Sequence, residues 1–115
     1  MRKFTLKPGG PPPGTYRARL GSVRDTMHLE FGAGMRFEFE IIEGAQTGDK
    51  VSRITGILPT PANAAGRMLS GLAGKLALHE EVDISDFVGR EYLIVVEEVR
   101  EGVTRVASVS PAHAD

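Results

Sequence analysis

Every second side chain is apolar in Tyr16, Ala18 and Leu20, and again in Met35, Phe37, Phe39 and Ile41. That period of two marks strands with one face to bury. The first run changes parity after Gly21, since the next apolar position is Val23. A glycine at the slip predicts a β-bulge in a long, bent strand over 15–27. A second strand is expected over 35–42, with Arg36, Glu38 and Glu40 on its polar face and a turn at Gly32-Ala33-Gly34 before it. The stretch from Glu43 to Asp49 reads as a hairpin connection, its Gly44 and Gly48 at positions that need positive φ, and a third strand follows over 50–58.

Pro59 and Pro61 stop that strand, which predicts Thr60 as a helix N-cap with Pro61 at the first helical position. Over 62–78, Ala65, Met68, Leu69, Leu72 and Leu76 recur at helical spacing and form one apolar stripe. Gly66, Gly71 and Gly74 each weaken this helix by up to ~1 kcal/mol relative to alanine, which suits a helix pressed close to a sheet or fraying at its end. An acidic connection with Glu80, Glu81, Asp83 and Asp86 leads to a fourth strand over 92–99, a turn at 100–102 and a fifth strand over 103–109. Five strands with a helix between the third and fourth is the layout of an oligonucleotide/oligosaccharide-binding (OB) barrel. The expected fold is therefore all-β with one helix: a Pro/Gly-rich leader over 1–13, an OB-like barrel over 14–110 and a tail over 111–115.

The 115 residues suffice for one domain with a modest core. Without cysteine there are no disulfides, thiolate nucleophiles or cysteine-ligated metals, and a cytoplasmic setting is the default. No apolar run approaches the roughly 20 residues of a membrane span, and the basic start lacks the apolar stretch of a signal peptide, so no membrane partner is expected. The net charge of -1 conceals a polarity: residues up to Arg24 carry +6 and the remainder -7. A first strand folded onto one wall would turn that polarity into a basic stripe on an acidic body, the minimum needed to grip a phosphate backbone.

Catalytic chemistry finds no foothold in the pattern. His28, His79 and His113 lack the spacing that brings two imidazoles to one metal, so neither metal nor cofactor is expected. Glu38 and Glu40 alternate with core aromatics, which makes them the solvated face of a sheet rather than a glycosidase acid pair, and Glu97/Glu98 carry no stronger signal. The run from Ser70 to Lys75 ends like a phosphate loop, yet Leu69 and Leu76 stand where glycine and Ser/Thr are required. There is no G-x-S-x-G elbow either, and a non-enzymatic protein is expected. What remains is a set of cations. Arg17, Arg19, Arg36 and Arg53, on strands one to three, are expected to point outward and meet phosphates, with Lys50, Arg100 and Arg105 extending the groove from loops. Phe31 and Phe4 are the candidate stacking platforms, because Tyr16, Phe37, Phe39 and Tyr92 are assigned to the core.

The strings Pro-Gly-Thr-Tyr-Arg-Ala-Arg-Leu (13–20), Phe-Glu-Phe-Glu-Ile-Ile-Glu-Gly (37–44) closed by Gly48, and Phe-Val-Gly-Arg-Glu (87–91) resemble a family of small phage and prophage proteins. That family is largely a domain of unknown function, is often encoded beside recombination or replication genes, and is thought to be OB-like and to bind single-stranded DNA. The resemblance covers about residues 12–109 and implies an accessory protein whose partners are single-stranded DNA and replication or recombination proteins. The alternative is an OB-like interaction or assembly module without nucleic-acid binding. Arginines clustered on one face favour the first; scattered arginines beside an exposed apolar patch favour the second.

Overall fold

The computed structural model describes residues 3–4, 10–28 and 30–112; most of the expected leader (1–2 and 5–9) and residues 113–115 of the tail, with His113, lie outside the described residues. The elements in order are β1 (Gly14–His28), β2 (Gly32–Ile41), β3 (Lys50–Thr55), α1 (Ala64–Ala73), a 3₁₀ turn (Ile84–Asp86), β4 (Glu91–Arg100) and β5 (Val103–Pro111). The strands form one antiparallel sheet in the order β3-β2-β1-β4-β5. No ladder joins the two end strands, so hydrogen bonding does not close the sheet into the expected barrel. β3 and β5 nevertheless lie side by side, and Arg53 Nη1 donates across the seam to the Val106 carbonyl at 3.1 Å.

β1 is the spine of the sheet. Its residues Gly14–Arg19 pair with β4 and Ala18–His28 pair with β2, and the ladder to β2 slips between Leu20 and Ser22, where the expected bulge at Gly21 sits. The bulge restores the burial parity: Ala18 and Leu20 before it and Val23 after it face the same core as Phe37, Phe39 and Ile41 of β2. Opposite them pack Tyr92, Ile94, Val96, Val106 and Val109, covered by Met68, Leu69 and Leu72 of α1. Each large apolar side chain removed from water contributes roughly 1.5 to 3 kcal/mol. Phe39 meets Tyr92 edge to face at 6.3 Å, and the Tyr92 hydroxyl donates to the Leu72 carbonyl at 2.9 Å, tying the sheet to α1. Burial raises the Tyr92 hydroxyl above its ordinary pKa, with Arg90 opposing the shift.

Several boundaries move from where the sequence pattern sets them. Gly32, Ala33 and Gly34 are not the turn; they are drawn into β2 opposite His28, Met27 and Thr26 respectively, and the reversal lies at Glu30 and Phe31. Gly34 has to be glycine there, because a Cβ would stand 2.7 Å from the Thr55 carbonyl oxygen. β3 ends at Thr55, its last pairing to β2, and leaves Ile57 and Leu58 exposed beyond the ladder. The N-cap is Asn63 rather than Thr60: its Oδ1 accepts from the amides of Gly66 (2.9 Å) and Thr60 (3.0 Å), and its Nδ2 donates to the Leu58 carbonyl (2.8 Å). One amide side chain thus satisfies both the loop and the helix start, and the prolines belong to the loop. α1 ends at Ala73 because Gly74, at φ 85°, terminates it; Leu76 continues the apolar spacing from a loop. Close packing explains the helical glycines, since a Cβ on Gly66 would overlap the Thr60 carbonyl and one on Gly71 the Val109 carbonyl. The fourth and fifth strands run slightly longer than expected, with Arg100 closing β4 and Arg105 inside β5.

Candidate nucleic-acid interface

The ladders fix which side chains share the outer face of β1, β2 and β3. From base to tip the cross-strand rows are Arg19–Glu40–Lys50, Ser22–Glu38–Ser52, Arg24–Arg36–Ile54, Thr26–Gly34 and His28–Gly32. Four cations therefore share this face with two carboxylates. The excess sits in one row, where Arg24 stands directly opposite Arg36; like charges in that position repel. Arg24 Nη2 reaches toward Glu38 of the next row at 3.8 Å, and Arg36 Nε is buried without a hydrogen-bond partner among the described residues.

The tip of the β1–β2 arm is held by a side chain. His28 Nδ1 accepts from the amides of Glu30 (3.0 Å) and Phe31 (3.4 Å), which orders the reversal and places the His28 and Phe31 rings 4.7 Å apart at a 31° tilt. Phe31, 81% exposed, offers an apolar ring to solvent at the end of the charged face, while Met27, 76% exposed, lies on the opposite parity of β1.

Of the residues singled out by the sequence, Arg19, Arg36, Lys50 and Phe31 come together here. Lys50 is the first residue of β3 rather than part of a loop. Arg17 lies toward β4, where its Nε donates to Glu91 Oε1 at 3.1 Å with Glu43 Oε2 at 4.0 Å, so carboxylates already meet it. Arg105 is likewise held by Glu97 Oε1 at 2.7 Å. Arg53 does not point outward. It shares the parity of buried Val51 and Thr55 and stands opposite Phe37, on the inner face, where its side chain is only 15% exposed. Burial and the neighbouring Arg105 and Arg67 lower its pKa, while Glu97, 3.7 Å away, offsets part of this. Arg24 and His28 join the face unforeseen. The parity slip at Gly21 was a usable signal, because it turns the even-numbered residues after it outward.

Two further concave features lie away from this face. A groove of about 1140 Å³ runs between the Pro59–Pro61 loop, α1 and residues 76–84, with Leu69, Leu76 and Ile84 along it and Glu80, Glu81 and Asp83 among its acidic residues. Hydrogen bonds from the Ser85 hydroxyl (2.7 Å) and amide (3.0 Å) hold the Asp83 carboxyl below its ordinary range. A smaller cavity of about 50 Å³ lies between Arg53, α1 and β5. Among the described residues, no group of three His, Asp or Glu is placed to hold a metal, and no helix is long and apolar enough to cross a membrane. No family model, no curated protein and no solved structure matches the chain.

Proposed function

We propose that this is a non-enzymatic, single-stranded nucleic-acid-binding accessory protein built on an OB-like barrel, with the strand lying along the outer face of β1, β2 and β3. The barrel reading is supported by the order β3-β2-β1-β4-β5, by the helix between β3 and β4, and by the Arg53 bridge where β3 and β5 meet. The observation that carries the binding reading is the Arg24–Arg36 pair, two arginines directly opposite each other in the ladder on the surface that ends in the exposed His28–Phe31 rings. A phosphate crossing that row relieves the repulsion, and the ring at the tip supplies a stacking surface. The resemblance to phage and prophage proteins adds replication or recombination proteins as partners, and the absence of cysteine suits a cytoplasmic setting.

Fluorescence anisotropy with labelled single-stranded and duplex oligonucleotides at several salt concentrations tests this. Binding to single strands weakens steeply with salt, and Arg24→Ala or Arg36→Ala each lowers the logarithmic salt slope by about 0.7, the value per phosphate neutralised on a single strand. No binding at low salt by the folded protein overturns the proposal. One observation favours the interaction-module reading instead: the groove beside α1 combines apolar walls with acidic residues, which suits a basic peptide. Absence of nucleic-acid binding together with retention of such a peptide would transfer the function there.

A further inference from the structure

The seam between β3 and β5 holds more positive charge than it can neutralise internally. Arg105 of β5 and Arg67 of α1 both bear electrostatically on Arg53 of β3, and the carboxylate that meets Arg53 and Arg105 is Glu97, 3.7 Å from the first and 2.7 Å from the second. Arg67 spends one nitrogen on the Ala62 carbonyl at 2.6 Å, and Arg53 Nε is buried with no partner among the described residues. A buried guanidinium nitrogen left unpaired is costly, and its cost falls when an anion supplies the acceptor. Beside these groups lies the cavity of about 50 Å³, lined by Arg53, Ala64, Arg67, Met68, Ala107 and Ser108. A water needs roughly 10–15 Å³ of such space, so about 50 Å³ admits a small tetrahedral oxyanion.

We propose that this cavity binds a phosphate group between the guanidiniums of Arg53 and Arg67, with the Ser108 hydroxyl as a further donor. Arg67 and Ser108 are exposed, so the site is reached from solvent and takes either a free phosphate ion or a phosphate carried at the end of a larger molecule. Its three polar residues come from β3, α1 and β5, the elements that meet where no ladder joins the sheet ends. Occupancy therefore links those ends and stabilises the fold. The site shares no residue with the outer face of β1, β2 and β3, and it stands or falls independently of the nucleic-acid reading.

The test is thermal melting of the full chain across a titration of inorganic phosphate, against sodium chloride of matched ionic strength. A saturable rise in Tm with phosphate and none with chloride is expected. Arg67→Gln, which removes an exposed guanidinium and leaves the core intact, weakens the phosphate response about tenfold or more, the usual effect of losing a hydrogen bond to a charged group. Glu97→Gln does the opposite and tightens it several-fold, because the competing carboxylate is gone; a purely structural role for these residues predicts no gain. A second arm compares oligothymidines with a 5′-phosphate and a 5′-hydroxyl. A preference for the phosphorylated end that Arg67→Gln abolishes identifies the ligand as a nucleic-acid terminus, whereas equal binding beside an intact Tm response identifies it as free phosphate. No phosphate response beyond that of chloride, or one indifferent to both substitutions, overturns the proposal.

Discussion

The two halves of β1 share a strand and little else. Before Gly21 the strand is linked to β4 through Gly14–Arg19 and to β2 from Ala18 onward, and both Ala18 and Leu20 are fully buried. After Gly21, Ser22–His28 pair with β2 alone, and Arg24, Asp25, Met27 and His28 are exposed. One half is scaffold and the other is an arm. A bulge separates them because a strand that must turn from one neighbour to another has to bend, and an extra unpaired residue supplies the bend. Stability and surface chemistry are thereby assigned to different stretches of the same element, so substitutions in the core beneath the first half and on the arm should affect different measurements.

The largest effect is expected from Phe39→Ala, which empties the core opposite Leu20 and beside Tyr92. The loss is about 3 to 5 kcal/mol, enough to unfold much of a domain of this size, and a melting curve within a degree or two of the parent would break the comparison. Next come Gly66→Ala and Gly71→Ala. Helix propensity alone makes each stabilising by up to ~1 kcal/mol. The carbonyls of Thr60 and Val109 stand where the new methyl must go, so chemical denaturation should instead report a loss of roughly 1 to 3 kcal/mol.

On the arm, Phe31→Ala should leave the melting temperature unchanged, because the ring is exposed. Its expected effect is on anisotropy: affinity for single strands falls by about 1 to 3 kcal/mol per stacked base while the salt slope is retained, since stacking releases no counterions. A changed slope would mean that the ring acts through the neighbouring arginines.

The smallest effect concerns acid. Asp83 has a carboxyl lowered by its bonds from Ser85, so its contribution is present above the ordinary carboxylate range near pH 4 and is lost as pH falls through the lower folded value. Asp83→Asn should be slightly less stable at neutral pH, and its stability curve should converge with the parent's in acid. Parallel curves down to the acid limit would show that the bonds from Ser85 to Asp83 make no electrostatic contribution.

The sequence was a good guide wherever a local rule had no competitor. Alternation placed Phe37 and Phe39 inside, the parity slip located the bulge at Gly21, and Gly44 and Gly48 take positive φ in the β2–β3 connection. It misled where a neighbour in space outbid a local signal. Thr60-Pro61 is a sound helix start in isolation, yet Asn63 has both the Thr60 amide and the Leu58 carbonyl within reach and becomes the cap. An outward Arg53 is what a cation on a strand, which ordinarily seeks water, leads one to expect. Its interior placement depends on the Val106 carbonyl and Glu97, which lie more than forty residues away in sequence.

Sequence by itself therefore determined the order of five strands and one helix and the main residues of the core, all of which follow from period, glycine and proline acting over a few residues. Tertiary structure alone decided which cations meet. Cross-strand register set Arg24 against Arg36, and the approach of β3 to β5 gathered Arg53 and Arg105 around Glu97, with Arg67 near enough to act on Arg53. The physical reason is range. Burial parity is a property of each strand, whereas the field at a charged group is summed over neighbours that only the folded chain brings within a few ångströms.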